Sequence, residues 1–238
     1  MATGTVLPAI PEGVPPHVPP LRNGDRLTRD EFERRYDAMP HVKKAELIEG
    51  VVYVPSPIRF DHHGNPHFNL IAWLGPYVTA TPGVKGGDNG SLRLDMDNEP
   101  QPDAFLIVTP ECGGRVRIDA DDYIVGGPEL VAEVAASSVS YDLHVKLHAY
   151  RRNGVQEYVV WRVEDRAIDW FELRGGRYEP LPLNDGIYKS KTLPGLWLAP
   201  QALMDANLAE VARVLNEGLQ TAAHREFVEK LAKNRSKS

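Results

Sequence analysis

Two acidic side chains stand in stretches of this chain that otherwise read as strands buried in the middle of a sheet. Asp103 follows Pro102 and opens Ala104-Phe105-Leu106-Ile107-Val108, while Glu133 lies inside Leu130-Val131-Ala132-Glu133-Val134-Ala135-Ala136. Short apolar runs bounded by turn residues have this character. An ionised carboxylate in such a place is very costly unless a cation or several donors compensate it. No residue close by in the chain supplies the charge, so two carboxylates on two strands point to a metal ion as the missing partner. The structural alternatives are a turn-capping aspartate after a proline and a buried glutamate paired with lysine or arginine.

The elements around these runs follow from periodicity and turn chemistry. Residues 1–20, with prolines at 8, 11, 15, 16, 19 and 20, read as an extended arm. Thr28 and Glu31 have capping-box spacing for a helix that buries Phe32 and Tyr36 and ends near Pro40. Residues 45–54 read as a hairpin turning at Glu49-Gly50 and stopped by Pro55-Ser56-Pro57. A helix over 66–79 presents Leu70, Trp73, Leu74 and Tyr77. Gly86-Gly87-Asp88-Asn89-Gly90 reads as a tight turn, and residues 90–95 alternate as a strand does.

After a long connection over 109–128 and the Glu133 strand, Ser140 is placed to cap a helix from Tyr141 to Arg152. Its core face would be Leu143, Leu147 and Tyr150, and Asn153-Gly154 would end it. Residues 156–161 return as a strand, and Ile168–Leu173 with Arg177–Leu181 form a second hairpin around Gly175-Gly176. From Leu203 to about Lys233 the chain is mostly helical, with Leu208, Val211, Leu215 and Leu219 on one side. That stripe docks on the chain's own core in this reading, a homodimer contact being the alternative. The expectation is an α/β fold, a mixed central sheet flanked by helices. It divides into an arm (1–20), a main domain (21–200) and a C-terminal helical segment (201–238).

Composition bounds the function. The chain has 238 residues, 42% hydrophobic and 25% charged, as in ordinary soluble domains. Its apolar runs are too short to cross a bilayer, and no secretory signal is evident. A single cysteine, Cys112, excludes an internal disulfide and fits a reducing cytoplasm. The net charge of −6 means that a nucleic-acid partner must be met by a local patch.

Hard oxygen ligands without sulfur favour Mg²⁺ or Mn²⁺ at Asp103 and Glu133, a setting suited to phosphodiester hydrolysis. Lys146, on the helix after the Glu133 strand, can lean over that site and stabilise the transition state or orient water. Its structural alternative is an i, i+4 pair with Asp142. Glu46 is a candidate further ligand or water-positioning group. His63 and His67 are candidates for phosphate contact. With His62 they also raise a zinc alternative, but the run reads HGNPH, without the glutamate of a metalloprotease helix, and Pro66 argues against a continuous helix there.

Five stretches in order resemble one known family: Ala45 to Tyr53, Gln101-Pro102-Asp103, Val131 to Ser138, Tyr141 to Tyr150, and Glu157 to Trp161. The pattern is similar to the PD-(D/E)xK nuclease superfamily and, more closely, to the Uma-two family of restriction-endonuclease-like proteins, over residues 28–182. The resemblance implies an αβββαβ core with extra hairpins and a Mg²⁺-dependent nuclease acting on DNA. Asp103, Glu133 and the Val134 carbonyl would hold the metal, with Glu46 at the rim. Two residues after Glu133, where the superfamily carries lysine, stands Ala135. Lys146 matches the helical lysine that family members carry instead. A nuclease fold that has lost catalysis and serves as a binding or assembly module is the rival reading.

Overall fold

The computed structural model describes residues 18–54, 59–136 and 138–237. The proline-rich arm expected over 1–20 therefore lies almost wholly outside the described residues, as does the stop expected at Pro55-Ser56-Pro57. In chain order the elements are α1 (Arg29–Asp37), β1 (Glu46–Ile48), β2 (Val51–Tyr53), α2 (Asn65–Ala80), β3 (Val84–Gly87), β4 (Leu92–Arg93), β5 (Ala104–Val108), β6 (Arg117–Ile118) and β7 (Ile124–Val125). Then come β8 (Leu130–Ala135), α3 (Leu147–Arg152), β9 (Glu157–Arg162), β10 (Ala167–Arg174), β11 (Arg177–Pro180), β12 (Tyr188–Lys189) and β13 (Trp197–Leu198). Three helices close the chain: α4 (Pro200–Met204), α5 (Leu208–Leu219) and α6 (Ala222–Arg235).

A six-stranded sheet in the order β11-β10-β9-β8-β5-β3 forms the centre. β8 and β9 run parallel, joined by the helical crossover that includes α3, and the other neighbours are antiparallel. Alternation sends Ala104, Leu106, Leu130, Ala132 and Val134 to one face, where they pack with α2 and the C-terminal helices. Phe105, Ile107, Val131 and Ala135 go to the other, with Tyr150 and Val155. On the first face Trp73 meets Trp170 edge-on, with ring centroids 5.5 Å apart. Val211 and Leu215 of α5 join that core, so the C-terminal stripe does dock on its own chain.

Both hairpins turn where the sequence places them. Glu49 and Gly50 have φ of 53° and 71°, and Gly175 and Gly176 have 52° and 77°. Positive φ at both positions is the two-residue turn whose twist matches antiparallel strands.

Four local expectations are corrected. Gly86-Gly87 is not a tight turn but the end of β3, the edge strand of the main sheet. A Cβ on Gly87 would lie 2.0 Å from Cζ of Phe105, its cross-strand partner. Glycine is needed there because the phenyl ring lies over the strand. The strand expected over 90–95 shrinks to Leu92–Arg93 and belongs to a small sheet with β7 and β6. Neither Thr28 nor Ser140 makes a side-chain cap. Glu31 is taken by Arg34 and Arg35, and Ser140 is already helical. Finally, Pro66 does not break the helix: residues 60–64 form a π-type turn leading into α2, with Gly64 N–H bonded to Arg59 O. Pro66 sits in the first turn of α2, directly after that wider turn.

Candidate active site

The antiparallel register of β5 and β8 brings Asp103 and Glu133 together. Ala104 pairs with Ala132, so Asp103, one residue before the strand, lies beside Glu133. The Asp103 N–H points at Glu133 Oε2 (3.4 Å), and the Val134 N–H donates to Asp103 Oδ2 at 2.8 Å. Both residues are nearly sealed, at 3% exposure each. A strand end and its partner strand thus aim two carboxylates at one small volume.

The first hairpin adds a third. Leu47 and Glu99 exchange backbone hydrogen bonds, which carries the chain past β1, and the Gln101 N–H donates to Glu46 Oε1 at 2.8 Å. The helical crossover supplies the rest. Residues 141–146 form a wider π-type turn before α3. Asp142, Lys146 and Tyr150 all point inward at i, i+4, i+8. Lys146 Nζ lies 2.9 Å from Glu133 Oε1, 2.9 Å from Glu46 Oε1 and 3.8 Å from Asp142 Oδ1. Tyr150 Oη donates to Glu133 Oε1 at 2.8 Å, and Ser138 Oγ to Asp142 Oδ2 at 2.5 Å. At the N-terminal end of α2, His63 Nε2 is 3.1 Å from Asp103 Oδ2. His67 Nε2 is 2.9 Å from the Asp103 carbonyl and 3.0 Å from Asp88 Oδ1. Lys44 reaches Asp103 Oδ1 at 3.4 Å and Asn89.

Electrostatics distinguish the two central acids. Burial opposes ionisation of Asp103, but the His63 hydrogen bond, Lys44 and the Val134 N–H outweigh it and hold the carboxyl below the usual range. Burial pushes Glu133 up to about 8, against the pull of Lys146 and helped by Asp103, Asp142 and Glu46. Burial raises Asp142 as well, despite Lys146 and Ser138. Burial opposes the charge on Lys146, yet the surrounding carboxylates hold its proton far above the ordinary range.

The expectation that nothing in the chain neutralises the acids is therefore corrected: Lys146 and Lys44 arrive through the fold. They do not finish the task. Four carboxylates (Glu46, Asp103, Glu133, Asp142) face two lysines and His63, an excess of acidic groups that burial answers in part by favouring protonated Glu133. Asp103 Oδ1 and Glu133 Oε2 keep only weak partners at 3.4 Å, so each has a hard oxygen free to ligate. The excess of acid and the donor chemistry fit one divalent cation held by two carboxylates with the remaining positions left to water, as Mg²⁺ prefers. Among the described residues no group of three His, Cys, Asp or Glu side chains is arranged as a metal cage. His62, for its part, turns away to Glu164.

Sequence reasoning did not foresee Lys44, Tyr150 or the inward turn of Asp142. A signal existed only for the helix, where Asp142, Lys146 and Tyr150 share one face. Lys44 lies 59 residues from Asp103 and nothing in the sequence marks it.

A mixed sheet between helical layers, with paired-strand carboxylates and a helical lysine at one end, defines a restriction-endonuclease-like protein. The chain belongs to the Uma2 family, described as "Putative restriction endonuclease", whose pattern matches residues 29–201. Among solved structures it resembles the crystal structure of "a putative nuclease belonging to DUF820" from Anabaena variabilis. The TM-score is 0.53 at 11% identity, covering 79% of this chain and 99% of that one. The likeness extends to the fold. Comparison with curated proteins gave no match. Among the described residues no helix is long and apolar enough to cross a membrane.

Proposed function

We infer that this protein is a Mg²⁺- or Mn²⁺-dependent endonuclease that hydrolyses DNA phosphodiester bonds. The observation that carries the reading is the pair Asp103 and Glu133, joined through the Asp103 N–H in a buried cluster with more acidic groups than cations. Asp103, Glu133 and the Val134 carbonyl would hold the cation. When bound, such an ion polarises a phosphoryl group and makes water a better nucleophile. The chain's own residues do the remaining work. Lys146, fixed between Glu133 and Glu46, is placed to hold the attacking water and to offset charge building on the phosphoryl oxygens. Glu46 orients Lys146 and stands at the rim. His63 and His67 line the Asp103 side, where phosphate would be met, and His63 Nδ1 is buried without a partner.

A second reading, a silent nuclease-fold module that binds nucleic acid or partners, is favoured by one feature: Lys146 is already engaged by carboxylates at 2.9 Å on two sides. Plasmid nicking with and without Mg²⁺, alongside Mn²⁺ titration by calorimetry, separates the two. Metal-dependent nicking, with Mn²⁺ binding lost in Asp103→Ala, supports the enzyme. Absence of both eliminates it.

A further inference from the structure

We propose that Tyr141 is a substrate contact of the nuclease site, its hydroxyl donating a hydrogen bond to a non-bridging oxygen of the scissile phosphodiester. The proposal rests on the nuclease reading for the identity of that acceptor. Tyr141 begins the same π-type turn that ends in Lys146, and it is not one of the acids or the lysine to which the chemistry has been assigned. Its ring lies under the Lys146 ammonium, with Nζ 5.5 Å from the centroid. It also meets the Tyr53 ring at 4.3 Å, and Tyr53 is the cross-strand partner of Glu46. The phenol is therefore held between the first hairpin and the catalytic lysine, and its direction is set by two neighbours that also set the site.

Its oxygen is buried and makes no hydrogen bond in the protein. That is unusual for a hydroxyl. Tyr150, Tyr158 and Tyr178, which pack on this face of the sheet, all donate: Tyr150 to Glu133, Tyr158 to the Asp142 carbonyl and Tyr178 to the Val155 carbonyl. A buried donor left unmade costs free energy with no return inside the fold, and such atoms concentrate where a ligand completes them. Tyr141 is surrounded by an ammonium and carboxylates, and a hydroxyl has one proton to give. An oxyanion arriving beside Lys146 is the chemistry that uses both donors at once. A phosphodiester presents two such oxygens, so one can meet Lys146 and the other Tyr141.

The test is Tyr141→Phe, which keeps the ring and its packing. Because no internal hydrogen bond is lost, the metal-free variant is expected to melt at or above the temperature of the wild type, with Mn²⁺ affinity unchanged. Cleavage of DNA in Mg²⁺ should fall in kcat by about a hundredfold, the scale seen on removing one oxyanion donor, with KM changed far less. A rate within twofold of the wild type overturns the proposal. So does a clear drop in melting temperature of the metal-free protein, which would mean that the hydroxyl has a structural partner. Should the wild type cleave no DNA with any divalent cation, the nuclease reading fails on its own. DNA affinity in Ca²⁺ then decides the contact. Binding weakened about threefold or more in the variant upholds it, whereas equal affinity, or no binding by either protein, overturns it.

Discussion

Lys146 Nζ donates to Glu133 Oε1 at 2.9 Å across thirteen residues of sequence, both side chains being 4% exposed. A glutamate strand, a short loop and a returning helix thus close on themselves, and the ammonium ends between Glu133 and the Glu46 carboxylate from a separate hairpin. One cation serves three acids, a shortage that bears on stability and on the proposed metal site alike.

The first concerns the aspartate. Asp103→Asn retains one oxygen to accept the Val134 N–H but loses the negative charge, whereas Asp103→Ala would also orphan that buried donor. Asp103→Asn should therefore stay folded, bind Mn²⁺ at least about tenfold more weakly, and lose nuclease activity by about two orders of magnitude or more. Calorimetry and a nicking assay on the same preparation measure both. Full activity in this variant would remove Asp103 from the site.

Lys146→Met leaves Glu133, Glu46 and Asp142 buried without their cation. Breaking one partner of a buried ionic cluster costs about 3–5 kcal/mol. The loss should be larger at pH 8 than near pH 5, because Glu133 and Asp142, which burial already pushes up, take up protons at the lower pH. Denaturant unfolding at the two pH values reads the difference, and equal losses at both would contradict the charge cluster.

Acidity gives a third outcome. Glu133 and Glu99 both titrate at about 8 in the folded protein instead of 4.5, Glu99 through burial and the adjoining Glu33. A carboxyl whose folded pKa is raised contributes stability that is complete below the unfolded pKa and is lost as pH rises through the folded one. Metal-free protein should therefore lose stability steadily from about pH 4.5 to 8. Mg²⁺, by favouring ionised Glu133, should stabilise more at pH 8 than at pH 5.5. Glu99→Gln should flatten the metal-free decline without touching the Mg²⁺ effect. Melting curves across this range, with and without Mg²⁺, check each part.

Glu157 supplies a control. It is a glutamate buried in the same sheet at 0% exposure, but its oxygens accept from the Trp170 indole, the Ser190 hydroxyl and the Lys191 and Thr192 N–H groups. Its charge is answered by donors that pin the chain at 190–193. Glu157→Gln turns an amide NH₂ toward those donors, and should cost about 1–3 kcal/mol of stability with Mn²⁺ affinity unchanged. Reduced metal affinity at unchanged stability would reverse the assignment.

That contrast marks how far the sequence could be read. Apolar runs with an adjoining or embedded acid place Asp103 at the start of one buried strand and Glu133 within another, and helical spacing puts Lys146 after them. Glu157 satisfies a similar rule and is structural, because what separates the two glutamates is the identity of partners that approach from other parts of the chain. The Gly86-Gly87 pair fails for a related reason. Its glycines signal a turn locally, and only the ring of Phe105 across the sheet shows why a strand needs them.

Local patterning by itself determined the buried strands β5, β8 and β9, the two hairpin turns, the helix over α2 and the acidic residues that have no business in a hydrocarbon core. These depend on periodicity and backbone preference, which act between residues a few positions apart. The tertiary structure alone decided that Lys44, Glu46 and His63 converge on Asp103, Glu133 and Lys146. It also decided that Asp142 faces inward and that Tyr141 keeps an unspent proton. Those facts depend on strand register and on the π-type turn before α3, and Coulomb and hydrogen-bond energies change steeply over the ångström or two that register and helix phase control.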